Sequence, residues 1–184
     1  MVDYIKGKEE SYSYILGLYL GDGYINSTER TYRLRIALDS KYPKVINECE
    51  KHLKILLPNN KVNRVIRKVT TTYVSVYSNK LPLLFPQHGV GKKLERKIEL
   101  SDWQKGIIIN DLFLKGLYQS DGSYYKSRDY YFYNFRNHSL DILNIYKSTC
   151  DELNILYTET KHTINHYRQS EVKKLNDIIG TKKS

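Results

Sequence analysis

Residues 14–25 read YILGLYLGDGYI and residues 113–124 read FLKGLYQSDGSY. Gly17, Leu18, Tyr19, Asp22 and Gly23 match Gly116, Leu117, Tyr118, Asp121 and Gly122 at a constant offset of 99 residues. A second echo follows in the same order. Cys49-Glu50-Lys51-His52-Leu53-Lys54-Ile55-Leu56 resembles Cys150-Asp151-Glu152-Leu153-Asn154-Ile155-Leu156, with one residue deleted. Two echoes in one order define two copies of a unit of about 80–90 residues, a plausible small domain. The boundary falls near residue 95, giving halves 1–95 and 96–184.

Each unit reads the same way from the repeat outward. Tyr14, Ile15, Leu18 and Tyr19 recur at helical spacing, and Gly23 sits where such a helix stops. Residues 32–38 alternate, with Leu34, Ile36 and Leu38 on one face and Arg33 and Arg35 on the other, which predicts a half-buried strand. Pro43 opens a second helix through Leu56, ended by Pro58-Asn59-Asn60. Strands are expected over 61–69 and 72–78, then a short helical turn at Leu81–Phe85. His88–Arg96 reads as a linker, and Ser101 as the cap of a new helix. The second unit predicts a helix over 110–120, strands over 124–137, a helix over 139–153, strands over 156–170 and a last helix over 171–179. The fold class is α+β: two pseudo-symmetric αββαββα half-domains, each with a four-stranded antiparallel sheet.

Gly17 and Gly21 lie four apart on one helix face, as do Gly116 and Ser120. Small residues let two helices approach backbone to backbone. Packed so, the helices bring Asp22 and Asp121 together at their C-terminal ends. Helix C-termini disfavour anions, and paired carboxylates repel. A divalent cation supplies the missing charge, and hard oxygen donors suit magnesium beside a substrate phosphate. One Asp-Gly after a helix is ordinarily a turn. Its recurrence within a matching helix pattern argues for more.

Residues 15–23 and 114–122 resemble the two motifs of a single-chain LAGLIDADG homing endonuclease, and the resemblance covers nearly the whole chain through motif spacing and element order. It implies that the motif helices join the halves and that a four-stranded saddle in each half lies on DNA. It implies that Asp22 and Asp121 hold catalytic metal, assisted by the carbonyls of Gly21 and Ser120. The metal would be Mg2+, with Mn2+ or Ca2+ as substitutes. The partner would be double-stranded DNA with a long, pseudo-asymmetric target, bound by a monomer with no obligate protein partner. Both strands would be cut, across a compressed minor groove, leaving staggered ends. The sixth motif position, often acidic in the family, is Leu20 and Gln119 here, and the second half lacks the tail segment of the first. The resemblance also calls for a basic residue and a polar residue that orders water. The basic candidate is Lys97, with Lys93 second; the polar candidates are Ser40 with Lys41 and Asn137 with His138, although Ser40, Asn137 and Ser139 serve equally as helix caps.

The expected DNA-reading set in the first half is Arg33, Arg35, Lys61, Arg64, Arg67, Lys68, Tyr73, Ser75 and Tyr77. In the second half it is Lys126, Arg128, Tyr131, Tyr133, Arg136, Lys161, His166 and Arg168. Arginine pairs with guanine in the major groove, and the remaining cations meet phosphates.

Composition agrees with a polyanionic partner. The net charge is +10, and residues 1–95 carry 16 basic against 9 acidic residues, compared with 14 against 11 in 96–184. No apolar run reaches the roughly 18 residues that span a bilayer. The polar start, Met1–Glu10, does not read as a signal peptide. Cys49 and Cys150 form neither a disulfide framework nor a zinc site, which suits an intracellular, reducing setting. Two other classes compete. A non-cleaving nucleic-acid binder of the same fold, such as an intron RNA maturase or a DNA-binding regulator, ordinarily lacks a motif aspartate. An α+β interaction domain would have no use for basic strand faces.

Overall fold

Both motif segments fold as helices, and each turns directly into a strand. In the computed structural model, which describes residues 2–68 and 70–180 and the side chains of all of these but Arg67 and Lys68, the chain opens with α1 (Val2–Ile5) and the first motif helix α2 (Glu9–Asp22). β1 (Gly23–Ser27), β2 (Tyr32–Asp39), α3 (Pro43–Leu56), β3 (Val62–Lys68), β4 (Thr71–Tyr77) and α4 (Leu81–Leu84) complete the first half. A 3-10 turn at Lys93–Glu95 and α5 (Asp102–Lys105) lead to the second motif helix, α6 (Asn110–Asp121). Then follow β5 (Gly122–Ser127), β6 (Tyr130–Arg136), α7 (Leu140–Glu152), β7 (Thr158–Thr160), β8 (Thr163–His166) and α8 (Gln169–Ile179). Ser101 caps α5 in a box with Gln104.

Each half holds one antiparallel four-stranded sheet, ordered β1-β2-β4-β3 and β5-β6-β8-β7. The registers superpose under the same offset: Gly23 pairs with Ile36, and Gly122 with Phe135. The fold is therefore α+β with two pseudo-symmetric halves, as the repeat predicts.

Every residue of α2 from Ser11 to Leu20 is buried, as expected of a helix enclosed on all sides. Its neighbours are α6, α3 and its own sheet. Tyrosine supplies much of this core: Tyr12, Tyr14, Tyr19, Tyr118, Tyr133 and Tyr146 are among the largest fully buried side chains. Several hydroxyls find partners across the molecule. Tyr12 donates to the Leu84 carbonyl (2.8 Å), and Tyr14 donates to Gln119 Oε1 on the other motif helix (2.5 Å). Gln119, at the motif's sixth position, is thus a tie between the halves. The Ile109 amide adds a second, donating to Ser13 Oγ (2.9 Å).

Candidate nuclease site and nucleic-acid face

The motif helices meet at their glycines. A Cβ on Gly17 would stand 2.6 Å from the Leu117 amide nitrogen, and one on Gly116 would stand 3.0 Å from that of Leu18. One turn further on, a Cβ on Gly21 would strike the Ser120 side chain and lie 2.6 Å from Asp121 Oδ2. The Asp121 carboxylate therefore rests against the residue that precedes Asp22. The two aspartates gather where the helices end.

A fixed cation is built in beside them. Lys93 Nζ donates to the carbonyls of Tyr19, Leu20 (2.9 Å) and Gly21 (3.0 Å). Burial pulls its pKa down to about 8, against the upward pull of Asp121 and Asp22. The supporting loop is held by Arg96, which donates to the carbonyls of Gly89 (2.8 Å), Gly91 (2.8 Å) and Gln87 (3.0 Å). Lys97, the first-choice basic residue, is not brought to the aspartates. It is largely exposed and pairs with Glu99 at 2.8 Å. It borders a different hollow, beside Asp141 and Asn144. Only the second choice, Lys93, reaches the helix tails.

Each aspartate borders its own cleft. Asp22 opens into one of about 240 Å³ with Asp39, Lys41, Tyr42, Gln119 and Ser120, and Asp121 into one of about 210 Å³ with Gly21, Lys93, Arg136, Asn137 and His138. These are pseudo-symmetric places with unlike contents. Asn137 Nδ2 donates to Asp121 Oδ2 (2.9 Å), whereas the matching position beside Asp22 is the buried Leu38. Lys41 stands in the Asp22 cleft but is paired with Asp39 at 2.7 Å. Ser40 faces away, bonded to Thr72 (Oγ to Oγ1, 2.8 Å), and Ser139 caps α7. The His138 ring lies 5.1 Å from that of His162.

The donor set suits a hard divalent ion. Among the described residues no cluster of three His, Cys, Asp or Glu is present, so protein carboxylates alone do not enclose a cation. Two carboxylates, nearby backbone carbonyls and open clefts leave the other positions to water and a phosphate, the pattern magnesium prefers. The crowding at Gly21, where a methyl would drive the Asp121 carboxylate away, marks the cradle.

The sheet faces opposite the helices follow from the registers. In the first half, Tyr24, Asn26, Arg33, Arg35, Asn63, Val65, Tyr73, Ser75 and Tyr77 share that face. Arg33 donates to Asn26 Oδ1 (3.3 Å) and Tyr77 Oη (3.4 Å), and Arg35 to Tyr24 Oη (2.6 Å). Arg33, Arg35, Tyr73, Ser75 and Tyr77 are thus placed as the alternation predicts. Arg64 is not. It pairs across the sheet with Val74, on the helix side, and grips Glu50 (2.8 Å) and Asn47 (2.6 Å) of α3. Lys61 is exposed just before β3. Arg67 and Lys68 end that strand, and their side chains lie outside the described residues.

The second half corrects the prediction by one residue. Tyr133 pairs with His166, next to the pair of Phe135 with Ile164, and all four are buried. Tyr133 Oη bonds Asn176 of α8, and His166 lies between Tyr146 and the Leu156 carbonyl. Tyr131 and Lys126 pair with each other in the same parity, so they too stand on the helix side. The open face instead carries Ser123, Tyr125, Phe132, Asn134, Arg136, Thr158, Thr160, Thr163 and Asn165. Arg136 alone of the expected second-half strand residues lies on it. Arg128 and Lys161 occupy the two hairpin turns, and Arg168 precedes α8; all three are exposed.

Residues 109–183 match the family model of the LAGLIDADG-like domain. No curated protein sequence matches the chain. Among solved structures, the chain is similar to I-DmoI in complex with DNA and Mn, at 19% identity and a TM-score of 0.65, covering 95% of this chain and 98% of that one. I-DmoI in complex with DNA and Ca gives 20% identity and a TM-score of 0.66, covering 95% and 91%. Full-length DUF199/WhiA from Thermatoga maritima gives 16% identity and a TM-score of 0.64, covering 95% of this chain and 56% of that one.

Proposed function

We propose that this chain, a two-motif LAGLIDADG protein, is a site-specific endonuclease that hydrolyses both strands of duplex DNA with a divalent metal, in the manner of a homing endonuclease. The observation that carries the reading is the seating of the Asp121 carboxylate against Gly21, beside Asp22, at the tails of two helices that abut through glycine. A helix C-terminus and a neighbouring carboxylate both disfavour an anion there, and Lys93 is the counter-charge that the chain itself supplies. The similar fold of I-DmoI, solved with DNA and with Mn or Ca, supports the partner and the ion. Magnesium is the ion we assign.

Asp22 and Asp121 would hold the metal, with the carbonyls of Gly21 and Ser120 as neighbouring donors. A bound divalent ion supplies an acidified water, a clamp on the phosphate and neutralisation of the leaving oxygen. The chain's own residues do the rest. Asn137, whose Nδ2 donates to Asp121 Oδ2, orients that carboxylate. Lys93 lines the Asp121 cleft and holds its ammonium on the carbonyls at the tail of α2. Arg136 and Lys41, one per cleft, are placed to meet the flanking phosphates.

The test is cleavage of a supercoiled plasmid pool carrying randomised inserts, with and without magnesium. Linear product that requires magnesium and disappears in Asp22→Asn and in Asp121→Asn supports the endonuclease. Bound but uncut DNA or RNA in the unaltered protein would instead select the non-cleaving binder of the same fold. The observation on that side is Lys93, whose ammonium already engages the Gly21 carbonyl.

A further inference from the structure

The two open sheet faces occupy equivalent places and carry different chemistry. Across the first sheet runs the row Asn26–Arg33–Tyr77, with Tyr24–Arg35–Ser75 beside it. Across the second, the equivalent rows are Tyr125–Phe132–Tyr167 and Ser123–Asn134–Asn165. Two arginines in the first half are thus replaced by a phenylalanine and an asparagine in the second.

The aromatic row is a built surface. The Tyr125 and Phe132 rings stack at 5.4 Å with 28° between planes, and Phe132 meets Tyr167 edge-on at 5.6 Å. Gln169 holds the row's end by donating to the carbonyls of Tyr131 (3.0 Å) and Tyr167 (3.2 Å). Tyr125 and Tyr167 are 41% and 48% exposed, so these rings are presented to solvent rather than packed. In the next row Ser123 bonds Asn134. No lysine and only one arginine, Arg136, stands on this face among the described residues.

Base edges sort these surfaces. In the major groove, arginine pairs bidentately with guanine, asparagine with adenine, and apolar rings contact the thymine methyl. We propose that the protein reads an asymmetric duplex: Arg33 and Arg35 read a guanine-bearing half-site, while Phe132, Tyr125 and Tyr167 with Asn134 read an A·T-rich half-site through thymine methyls and adenine edges. This rests on the endonuclease reading for the duplex itself and adds which half reads what. It also places most of the phosphate-independent recognition in the second half, where the face is nearly uncharged.

The experiment is selection of bound sites from a randomised duplex library by the full chain in calcium, without cleavage. The expected consensus has guanines in one half and an A·T run in the other. Phe132→Ala and Asn134→Ala relax the A·T half alone, and Arg35→Ala relaxes the guanine half alone. Replacing thymine by deoxyuridine in the A·T half, which removes only the methyl, weakens binding about fourfold per contacted methyl. Guanine in both halves, indifference to deoxyuridine, or a Phe132→Ala variant with an unchanged consensus overturns the half-site assignment and leaves the endonuclease standing. A library from which no duplex consensus emerges overturns both.

Discussion

Gly17 and Gly116 face each other across the two motif helices, each so near the opposite backbone that neither position has room for a methyl. A Cβ on Gly17 would press on the Phe113 carbonyl and lie 2.6 Å from the Leu117 amide, and one on Gly116 would press on the Tyr14 carbonyl. Backbone cannot swing aside as a flexible side chain can, so the helices would have to part. Gly17→Ala and Gly116→Ala should each destabilise the chain by about 3 kcal/mol, the upper range for overpacking, read by chemical denaturation. The gain in helix propensity, about 1 kcal/mol, acts in the opposite direction and is smaller. A variant as stable as the parent would mean that the halves do not meet here.

The repeat makes this contact legible in the sequence. Glycine at matching helix positions, followed by aspartate, leaves few packings that satisfy both copies. The first sheet was legible for a similar reason: in Arg33-Leu34-Arg35-Ile36 polarity alternates strictly, and the faces follow. In the equivalent strand Tyr131-Phe132-Tyr133-Asn134-Phe135, aromatics fall on both parities, so pattern assigns no face. Register decides it: Phe135 opposite Ile164 sends Tyr133 inward and Phe132 outward. Arg64 reads as a DNA contact because its strand carries three basic residues and no acid, while its partner Glu50 is supplied by α3, which spacing along the chain does not pair with it. The choice between Lys93 and Lys97 rested on a loop folded by Arg96 through backbone carbonyls, which sequence spacing does not reveal.

Lys93 holds the place of a cation, and its removal should expose how much the site needs one. In Lys93→Met the carbonyls of Leu20 and Gly21 lose a charged donor and Asp22 and Asp121 lose a counter-charge. Hydrogen bonds to charged groups contribute about 1.5–3 kcal/mol, so a loss in that range is expected without metal, tempered by relief of the buried ammonium. Magnesium should then raise the melting temperature more in Lys93→Met than in the parent. An equal magnesium shift in both would show that ion and ammonium do not share the helix tail.

The two clefts should also fire unequally. Asn137 Nδ2 donates to Asp121 Oδ2, while the matching position in the first half is the apolar, buried Leu38. Loss of a group that orients a metal ligand typically costs 10–100-fold. Asn137→Ala should therefore slow one strand by about tenfold and let nicked circles accumulate from supercoiled plasmid. End-labelling should find the slowed strand to be the same in every molecule. Equal slowing of both strands would argue that Asn137 acts on the fold instead.

Stability should fall on mild acidification through two buried histidines. His52 lies against Ser11 Oγ (2.9 Å) with Glu48 4.0 Å away, and His166 lies between Tyr146 and the Leu156 carbonyl. Burial holds both pKa values below the ordinary histidine value of 6.5. The unfolded chain then takes up protons first as pH drops. Their contribution is complete above about pH 6.5 and is lost as pH falls toward the folded values. Melting temperature should be lower at pH 5.5 than at pH 7. His166→Gln should flatten that slope even where it lowers the melting temperature throughout, and an unchanged slope would count against the buried ring.

Arg64 and Arg35 separate charge that holds the fold from charge that meets DNA. Arg64 is spoken for by Glu50 and Asn47, so Arg64→Ala should leave DNA affinity within about twofold and cost stability no more than about 1 kcal/mol, as for other partly exposed pairs. Among the described residues, Arg35 stands on the open face with tyrosine hydroxyl and ring partners, which a guanine edge or phosphate can replace. Arg35→Ala should weaken binding by about tenfold or more, the loss expected for a base-reading arginine. Binding isotherms at several salt concentrations check both. A shallower dependence of affinity on salt in Arg35→Ala would show that it meets phosphate, whereas an unchanged slope with lower affinity marks a base contact. If Arg64→Ala proved the more damaging of the two to binding, the open face would have been assigned to the wrong side of the sheet.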